Sequence, residues 1–188
     1  MSIRPDLLLG QVRLLARFRQ VRATFDDAFR NAATVFPALE QLGVPIQIFV
    51  CTGHAKSGAP LTIPEFEGDD PEQLATMTWD DLRAHAARGV KIGSHGVSHA
   101  HLTRLTDDEV RRELRDSQQA VEDELARPCP EFAYPYGEYD ERVRGLVRAA
   151  GYERAYGLRE GGSGPFALHR LDLYRRHSPV RALLRLYL

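Results

Sequence analysis

Short apolar runs alternate along the chain with longer stretches in which apolar residues recur every three or four positions. The apolar runs predict β-strands at 21–25, 45–51, 90–92, 131–134, 152–156 and 166–173. The periodic stretches predict helices at 28–42, 78–89, 106–126 and 141–150. An opening helix with Leu8, Val12, Leu15 and Phe18 on one face is expected to pack on the same domain, and a long surface loop is expected at 52–76.

This alternation of strands and helices predicts an α/β fold with a mainly parallel sheet, either open or curled into a barrel. The run at 45–51 is almost entirely apolar, as expected of a strand whose two faces are both covered. In such folds, functional residues lie in loops at the carboxyl ends of the strands. The polar motifs follow three predicted strands, at 26–27, 94–99 and 136–137, so we expect them to converge at one end of the sheet.

The composition limits the classes of protein to consider. A chain of 188 residues that is 43% hydrophobic and 27% charged is expected to form one domain over 1–188. Its formal charge of −1 argues against binding nucleic acid or an anionic membrane by bulk charge. Cys51 and Cys129 lack the spacing of a disulfide framework or a cysteine zinc site. The opening segment lacks the apolar run of a signal peptide or membrane span, so the chain as given is expected to be cytoplasmic, with export open if its N-terminus is incomplete.

Two histidines stand four residues apart in the segment SHGVSH, which follows the third predicted strand. On one helical turn, His95 and His99 would lie side by side and bind a single ion. The spacing resembles the HExxH motif of metalloproteases, but Gly96 occupies the glutamate position, so the segment supplies two ligands and no general base. A surface helix or a capping turn would leave the same spacing, and this motif alone does not decide between these interpretations.

Two adjacent carboxylates close the first predicted strand in the segment TFDD. Asp26 and Asp27 repel each other there unless a cation or an arginine offsets their charge, and a divalent metal would do so. If Asp27 turns toward the ion as the strand ends, Asp26 is left beside the bound water as a general base. Two histidines and one carboxylate leave an open position for that water, whose pKa zinc lowers to about 7. The alternative is that the pair caps a helix starting at Ala28.

Three segments in this order, TFDD, SHGVSH and AYPYG, resemble the first three motifs of the polysaccharide deacetylases, the NodB-homology enzymes of carbohydrate esterase family 4. The resemblance extends over about 21–173. It implies a distorted or incomplete (β/α) barrel of about seven parallel strands and one divalent metal ion, expected to be zinc. It also implies hydrolysis of the N-acetyl groups of a poly- or oligosaccharide by a metal-activated water.

The resemblance also assigns roles to individual residues by their motif positions. Asp27, His95 and His99 become the metal ligands, and Asp26 becomes the catalytic base. The backbone N–H of Tyr136, in the third motif, is assigned to the oxyanion of the tetrahedral intermediate. Donors of this kind, fixed before the reaction begins, typically remove several kcal/mol from a barrier.

The chain departs from the family pattern in three places. The third motif usually carries an arginine two residues before its proline, where this chain has Ala133. Arg170 is the candidate replacement, because Asp26 needs a cationic neighbour to stay ionised and oriented. The Asp- and Trp-containing fourth motif is not visible, and the histidine of the fifth, which protonates the leaving amine in the family, has no clear counterpart. His169 and His177 are the candidates for this acid.

The sequence therefore predicts a hydrolase of amide bonds whose partner is an N-acetylated glycan. Two alternatives remain, a hydrolase of another small amide on the same scaffold and a catalytically inactive relative that binds glycans. The missing third-motif arginine favours the inactive relative, whereas the presence of Asp26, which is not a metal ligand, favours an enzyme. The identity of the glycan and the oligomeric state are left open.

Overall fold

The structure, a computed structural model, describes residues 5–17, 20–62, 70–158 and 162–170. The helices within these ranges are α1 (Pro5–Ala16), α2 (Phe36–Gln41), α3 (Thr52–Ala55), α4 (Trp79–Ala87), α5 (Asp107–Leu125) and α6 (Glu141–Ala149). The strands are β1 (Ala23–Phe25), β2 (Ile46–Val50), β3 (Lys91–Ser94), β4 (Glu131–Ala133), β5 (Arg154–Gly157) and β6 (Leu168–His169). Short 3₁₀ helices cover Arg30–Val35, Leu102–Arg104 and Pro135–Gly137.

The six described strands form one parallel sheet in the order β1-β2-β3-β4-β5-β6. Two strands separate β2 from β5, yet the rings of Phe49 and Tyr156 lie 5.4 Å apart, so the sheet curls around a concave side. At the two edges, Arg170 follows β6 and hydrogen-bonds to Thr24 and Asp26 at the end of β1. The sheet is therefore an incomplete barrel with its seam between β1 and β6, and the prediction of a distorted (β/α) barrel is confirmed.

The strand β2 is buried along its whole length, as its apolar sequence predicted. By strand alternation, Gln47 lies on the same concave side as Phe49. Gly93 on β3 makes room for the Phe49 ring, because a Cβ at this position would lie 2.6 Å from that ring. Near the amino ends of the strands, Gln47 and Tyr156 donate hydrogen bonds to the buried carboxylate of Glu131. These contacts fill the barrel interior below the strand ends that carry the polar motifs.

Two helices begin at threonine caps, as the sequence predicted. The hydroxyls of Thr78 and Thr106 accept hydrogen bonds from the third residues of α4 and α5, and the side chains of Asp81 and Glu109 accept from the N–H of each cap. The helix α1 packs against the same core through buried apolar side chains, among them Leu8 and Val12. No helix in the described part of the chain is long and apolar enough to cross a membrane.

Other predicted segments differ from the structure. The helix predicted over 28–42 starts late and in two parts, the 3₁₀ helix Arg30–Val35 and α2, because Asp27 and Ala28 have φ values of 65° and 54°. The predicted surface loop at 52–76 contains α3 and a buried apolar residue, Leu61. Of the last strand, predicted over 166–173, residues 171–173 lie outside the described ranges, and the described part forms β6. The two cysteines are separate, buried thiols.

Candidate active site

Polar residues from three strand ends meet at the carboxyl edge of the sheet, as the sequence predicted. Asp26 and Asp27 follow β1, and Tyr136 follows β4, while His95 and His99 follow β3. The ligand atoms of Asp27, His95 and His99 all lie within 4.8 Å of one another. The ring of Tyr136 lies 4.4 Å from that of His99, and Oδ2 of Asp26 lies 4.0 Å from Nε2 of His95. We refer to Asp27, His95 and His99 as the ligand cluster.

The backbone at the end of β1 directs the two aspartates to different neighbours. Thr24 and Asp26 are two positions apart and therefore lie on the same side of the sheet, where both bind Arg170. Asp27 has a φ of 65°, in the left-handed region, and its carboxylate lies against the histidines. No helix starts at Ala28, whose φ is 54°, so the alternative that the aspartates cap a helix there is wrong.

The two histidines approach each other through a loop, so the predicted arrangement on one helical turn is wrong. Gly96 has a φ of 81° and His99 a φ of 58°, which a right-handed helix does not allow. The His95 and His99 rings nevertheless lie 5.1 Å apart. Nδ1 of His95 lies 2.7 Å from the carbonyl oxygen of Ala133, which can only accept, so the proton is on Nδ1. In the neutral imidazole with this tautomer, the lone pair of Nε2 faces the cluster.

The spacing of the ligand cluster fits a single divalent ion. Oδ1 of Asp27 lies 3.2 Å from Nε2 of His99 and 3.6 Å from Nε2 of His95. Ligand atoms held about 2.0–2.1 Å from a tetrahedral ion lie roughly 3.4 Å apart, so one ion can contact all three groups. Three nitrogen and oxygen ligands also leave a fourth position open, as in catalytic zinc sites.

Burial shifts the protonation equilibria of the cluster. Burial lowers the pKa of His99 to about 3, so its imidazole is neutral at neutral pH and has a lone pair to share. Burial also raises the pKa of Asp27 to about 6, and the nearby charge of Asp26 acts in the same direction. A cation in the cluster would oppose this rise, because it favours the ionised carboxylate. The ligand cluster is therefore more favourable with a bound cation than without one.

Asp26 is held in a bidentate ion pair. Nη1 and Nη2 of Arg170 donate to its two carboxylate oxygens at 2.6 and 2.7 Å. Burial acts to raise the pKa of Asp26, but the charge and hydrogen bonds of Arg170, with the nearby imidazoles, lower it to about 2. The guanidinium carbon lies 5.5 Å from the centre of the Phe49 ring. Arg170 thus brings to Asp26, from the end of β6, the cation that the third motif lacks at Ala133.

Tyr136 stands in a tight turn beside the ligand cluster. Its φ of 59° and ψ of 5° are uncommon for a residue with a side chain. Gly137 follows with a φ of 66°, and a Cβ there would lie 2.5 Å from the side chain of Leu158. The turn therefore depends on glycine at 137. It brings residue 136, the predicted oxyanion donor, next to His99.

Of the two candidates for the general acid, only His169 lies within the described residues. His169 is exposed and directly precedes Arg170, whose side chain points to the concave side, so alternation directs His169 to the other face. His177 lies outside the described residues. The identity of the general acid therefore stays a prediction.

Glu113 is a residue that the sequence did not single out. Glu113, on α5, accepts hydrogen bonds from the N–H of Val97 at 2.7 Å and of Ser98 at 3.1 Å, and from the Ser98 hydroxyl at 2.6 Å. These bonds hold the middle of the loop between His95 and His99. Gly96 packs close by, since a Cβ there would lie 3.0 Å from the Glu113 carboxylate. No local pattern marks Glu113, because its contacts arise only when α5 packs beside the loop.

The Glu113→Gln variant is expected to bind zinc about 10-fold more weakly than the wild type. Both backbone N–H groups bind Oε2, so the amide oxygen can still accept from them, but the amide lacks the carboxylate's charge and turns its NH₂ group toward the Ser98 hydroxyl, and the loop is held less firmly. Competition of zinc between the protein and a chelator measures this affinity. The matched control is Asp116→Asn, on the same helix and 53% exposed. Unchanged zinc affinity in a folded Glu113→Gln protein would show that the loop does not need the carboxylate.

Comparisons with known proteins give several matches in sequence. A family model described as polysaccharide deacetylase matches residues 16–155. The Bacillus subtilis protein YxkH, whose name assigns it to the polysaccharide deacetylases, is 24% identical over 156 residues, covering 80% of this chain and 50% of YxkH. Chitin deacetylase 1 of Cryptococcus neoformans is 34% identical over 70 residues, covering 37% of this chain and 15% of that protein. The chain thus spans about half the length of YxkH.

Solved structures share the fold over almost the whole chain. The deacetylase PplD of Streptococcus pyogenes, in complex with acetate, superposes with a TM-score of 0.80 at 20% identity, covering 97% of this chain and 86% of that one. IcaB from Ammonifex degensii superposes with a TM-score of 0.76 at 18% identity, covering 96% of this chain and 90% of that one. At such identities the likeness shows a common fold.

Proposed function

The chain belongs to the polysaccharide deacetylase family, and we propose that it hydrolyses N-acetyl groups on an N-acetylated poly- or oligosaccharide. The observation that carries this proposal is a carboxylate, Asp26, held by Arg170 directly beside a three-residue ligand cluster. Such a pairing of base and ligands is what an enzyme needs and a binding module does not.

We also propose that 1–188 form a single domain, since one continuous sheet runs from β1 to β6.

The ligand cluster would hold one divalent ion, for which zinc is our proposal. When bound there, the ion supplies Lewis acidity that polarises the acetamide carbonyl and activates a water. The Ala133 carbonyl orients the imidazole of His95 before any ion binds. The loop between the two histidines, held by Glu113, helps to orient both rings. Burial keeps His99 neutral, so it need not lose a proton in order to bind.

Asp26 is proposed as the general base that takes a proton from the attacking water. Arg170 fixes both carboxylate oxygens, and its charge keeps Asp26 ionised despite burial. The backbone N–H of Tyr136 is proposed to donate to the oxyanion that forms as the carbonyl is attacked. Since His169 is directed away from the concave side, His177 is the candidate that we retain, as a proposal, for the proton of the departing amine.

The proposal is tested by measuring bound metal and released acetate on the same samples. The protein is purified without chelators, loaded with zinc and incubated with N-acetylglucosamine oligomers. We expect about one ion per chain and release of acetate in the wild type, and neither in Asp27→Ala or His95→Ala. Bound zinc without acetate release from any N-acetylated glycan, but with hydrolysis of a small acetamide, would favour another amide substrate. Zinc without any hydrolysis would favour an inactive glycan-binding relative.

A further inference from the structure

Tyr136 has a backbone conformation that persists only where its surroundings fix it. Its φ of 59° lies in the left-handed region, which is unfavourable for a residue with a Cβ. Pro135 and Gly137 shape the turn from within the chain. Further support comes from the Tyr136 ring, which contacts two imidazoles. The direction of the Tyr136 backbone N–H therefore depends on the residues that fix the imidazoles of His99 and His101.

Three rings form a continuous row of contacts from the ligand cluster to the rim of the site. Tyr136 meets His99 at 4.4 Å with an interplanar angle of 64° and lies parallel to His101 at 3.7 Å and 4°. Nδ1 of His99 is buried and has no hydrogen-bond partner among the residues that the structure describes. His95 donates to the Ala133 carbonyl, whereas the His99 ring packs edge-on against the Tyr136 ring. This row of rings links His99, a proposed metal ligand, to Tyr136, the proposed oxyanion donor.

Glu138 fixes His101, the outer ring of this row. Its Oε2 lies 3.0 Å from Nδ1 of His101, and since an ionised carboxylate only accepts, Nδ1 is the donor. Glu138 lies two residues after Tyr136 in the same turn. That turn therefore contacts His101 twice, once through the stacked ring and once through the carboxylate. The two loops that carry His99 and Tyr136 are joined by these contacts.

We propose that His101, held by Glu138, is a positioning residue for Tyr136. The flat contact with His101 keeps the Tyr136 ring, and with it the left-handed backbone, in one orientation relative to His99. The inference rests on the proposed function, in which the N–H of Tyr136 donates to the oxyanion. In this role His101 touches neither substrate nor ion, and its contribution depends on its flat ring rather than on its charge.

The test compares His101→Ala, which removes the ring, with His101→Phe, which keeps a flat ring but loses the bond to Glu138. In zinc-loaded protein acting on an N-acetylglucosamine oligomer, His101→Ala is expected to lower kcat about 10-fold or more, with KM changed by less than about two-fold. Bound zinc should remain at about one ion per chain. His101→Phe is expected to recover most of the lost kcat. Equal losses in the two variants, or no loss in either, would overturn the inference.

A second measurement separates this inference from the proposed function. The ¹³Cα and carbonyl chemical shifts of Tyr136 report its backbone conformation in isotope-labelled, zinc-loaded protein. They are expected to move in His101→Ala and to stay near the wild-type values in His101→Phe. If the wild type releases no acetate, the proposed function has failed, and these shifts alone decide the positioning role. Unmoved Tyr136 shifts in His101→Ala would then overturn it.

Discussion

Replacing Asp26 by asparagine is expected to lower kcat for acetate release by about 10³-fold, because a positioned general base typically contributes about 10²–10⁴-fold. Asparagine has nearly the same size and still accepts a hydrogen bond from Arg170, but it cannot take a proton from the attacking water. The ligand cluster is unchanged, so bound zinc should stay at the wild-type level. The measurement pairs steady-state kinetics with elemental analysis.

The control for this variant is Asp80→Asn, which makes the same chemical change at a side chain that is 89% exposed in the first turn of α4. It should match the wild type in both activity and zinc content. Loss of zinc in Asp26→Asn would make Asp26 a ligand rather than a base. An Asp26→Asn protein that keeps more than about a tenth of wild-type kcat would mean that another group takes the proton.

Arg170→Gln is expected to lower kcat about 10²-fold and to make activity more sensitive to acid. In the wild type, Arg170 and the imidazoles overcome the effect of burial and hold the pKa of Asp26 at about 2. Without the guanidinium, burial acts with less opposition and the pKa of Asp26 rises. A protonated Asp26 cannot accept a proton, so activity is lost as the pH falls through this raised pKa. The acid limb of the kcat profile therefore moves to higher pH.

The pH profile of kcat is measured in the wild type, Arg170→Gln and Arg170→Lys, with bound zinc determined at each pH. Lysine keeps the charge but not the bidentate geometry, so it should restore the acid limb better than it restores kcat. Arg115→Gln, at a side chain that is 70% exposed, is the control and should match the wild type. Identical acid limbs in the wild type and Arg170→Gln would show that Arg170 does not keep Asp26 ionised.

The sheet and most of its helices could be predicted because they depend on patterns within a few residues. The apolar run of β2 indicated a strand covered on both faces, and the threonines at 78 and 106 indicated the starts of α4 and α5. The convergence of Asp27, His95 and His99 also followed from the sequence, because parallel strands end at the same edge. These features need no knowledge of how distant segments pack.

The path of the loops could not be predicted in the same way. A spacing of four residues suits a helical turn, yet Gly96 takes a φ that turns the segment between His95 and His99 into a loop. Glu113 and His101 gave no signal, because their roles depend on the approach of α5 and of the turn at 135–138. Arg170 could be proposed only because a buried carboxylate at the end of β1 requires a cation.

The ion pair across the seam between β1 and β6 also bears on how such sites change during evolution. Around the rim of a curled sheet, distance in space rather than order along the chain decides which side chains can serve a given carboxylate. An arginine that is absent from one strand can therefore be replaced by one on another strand. A family member without the third-motif arginine should be inspected after its last strand before it is judged inactive.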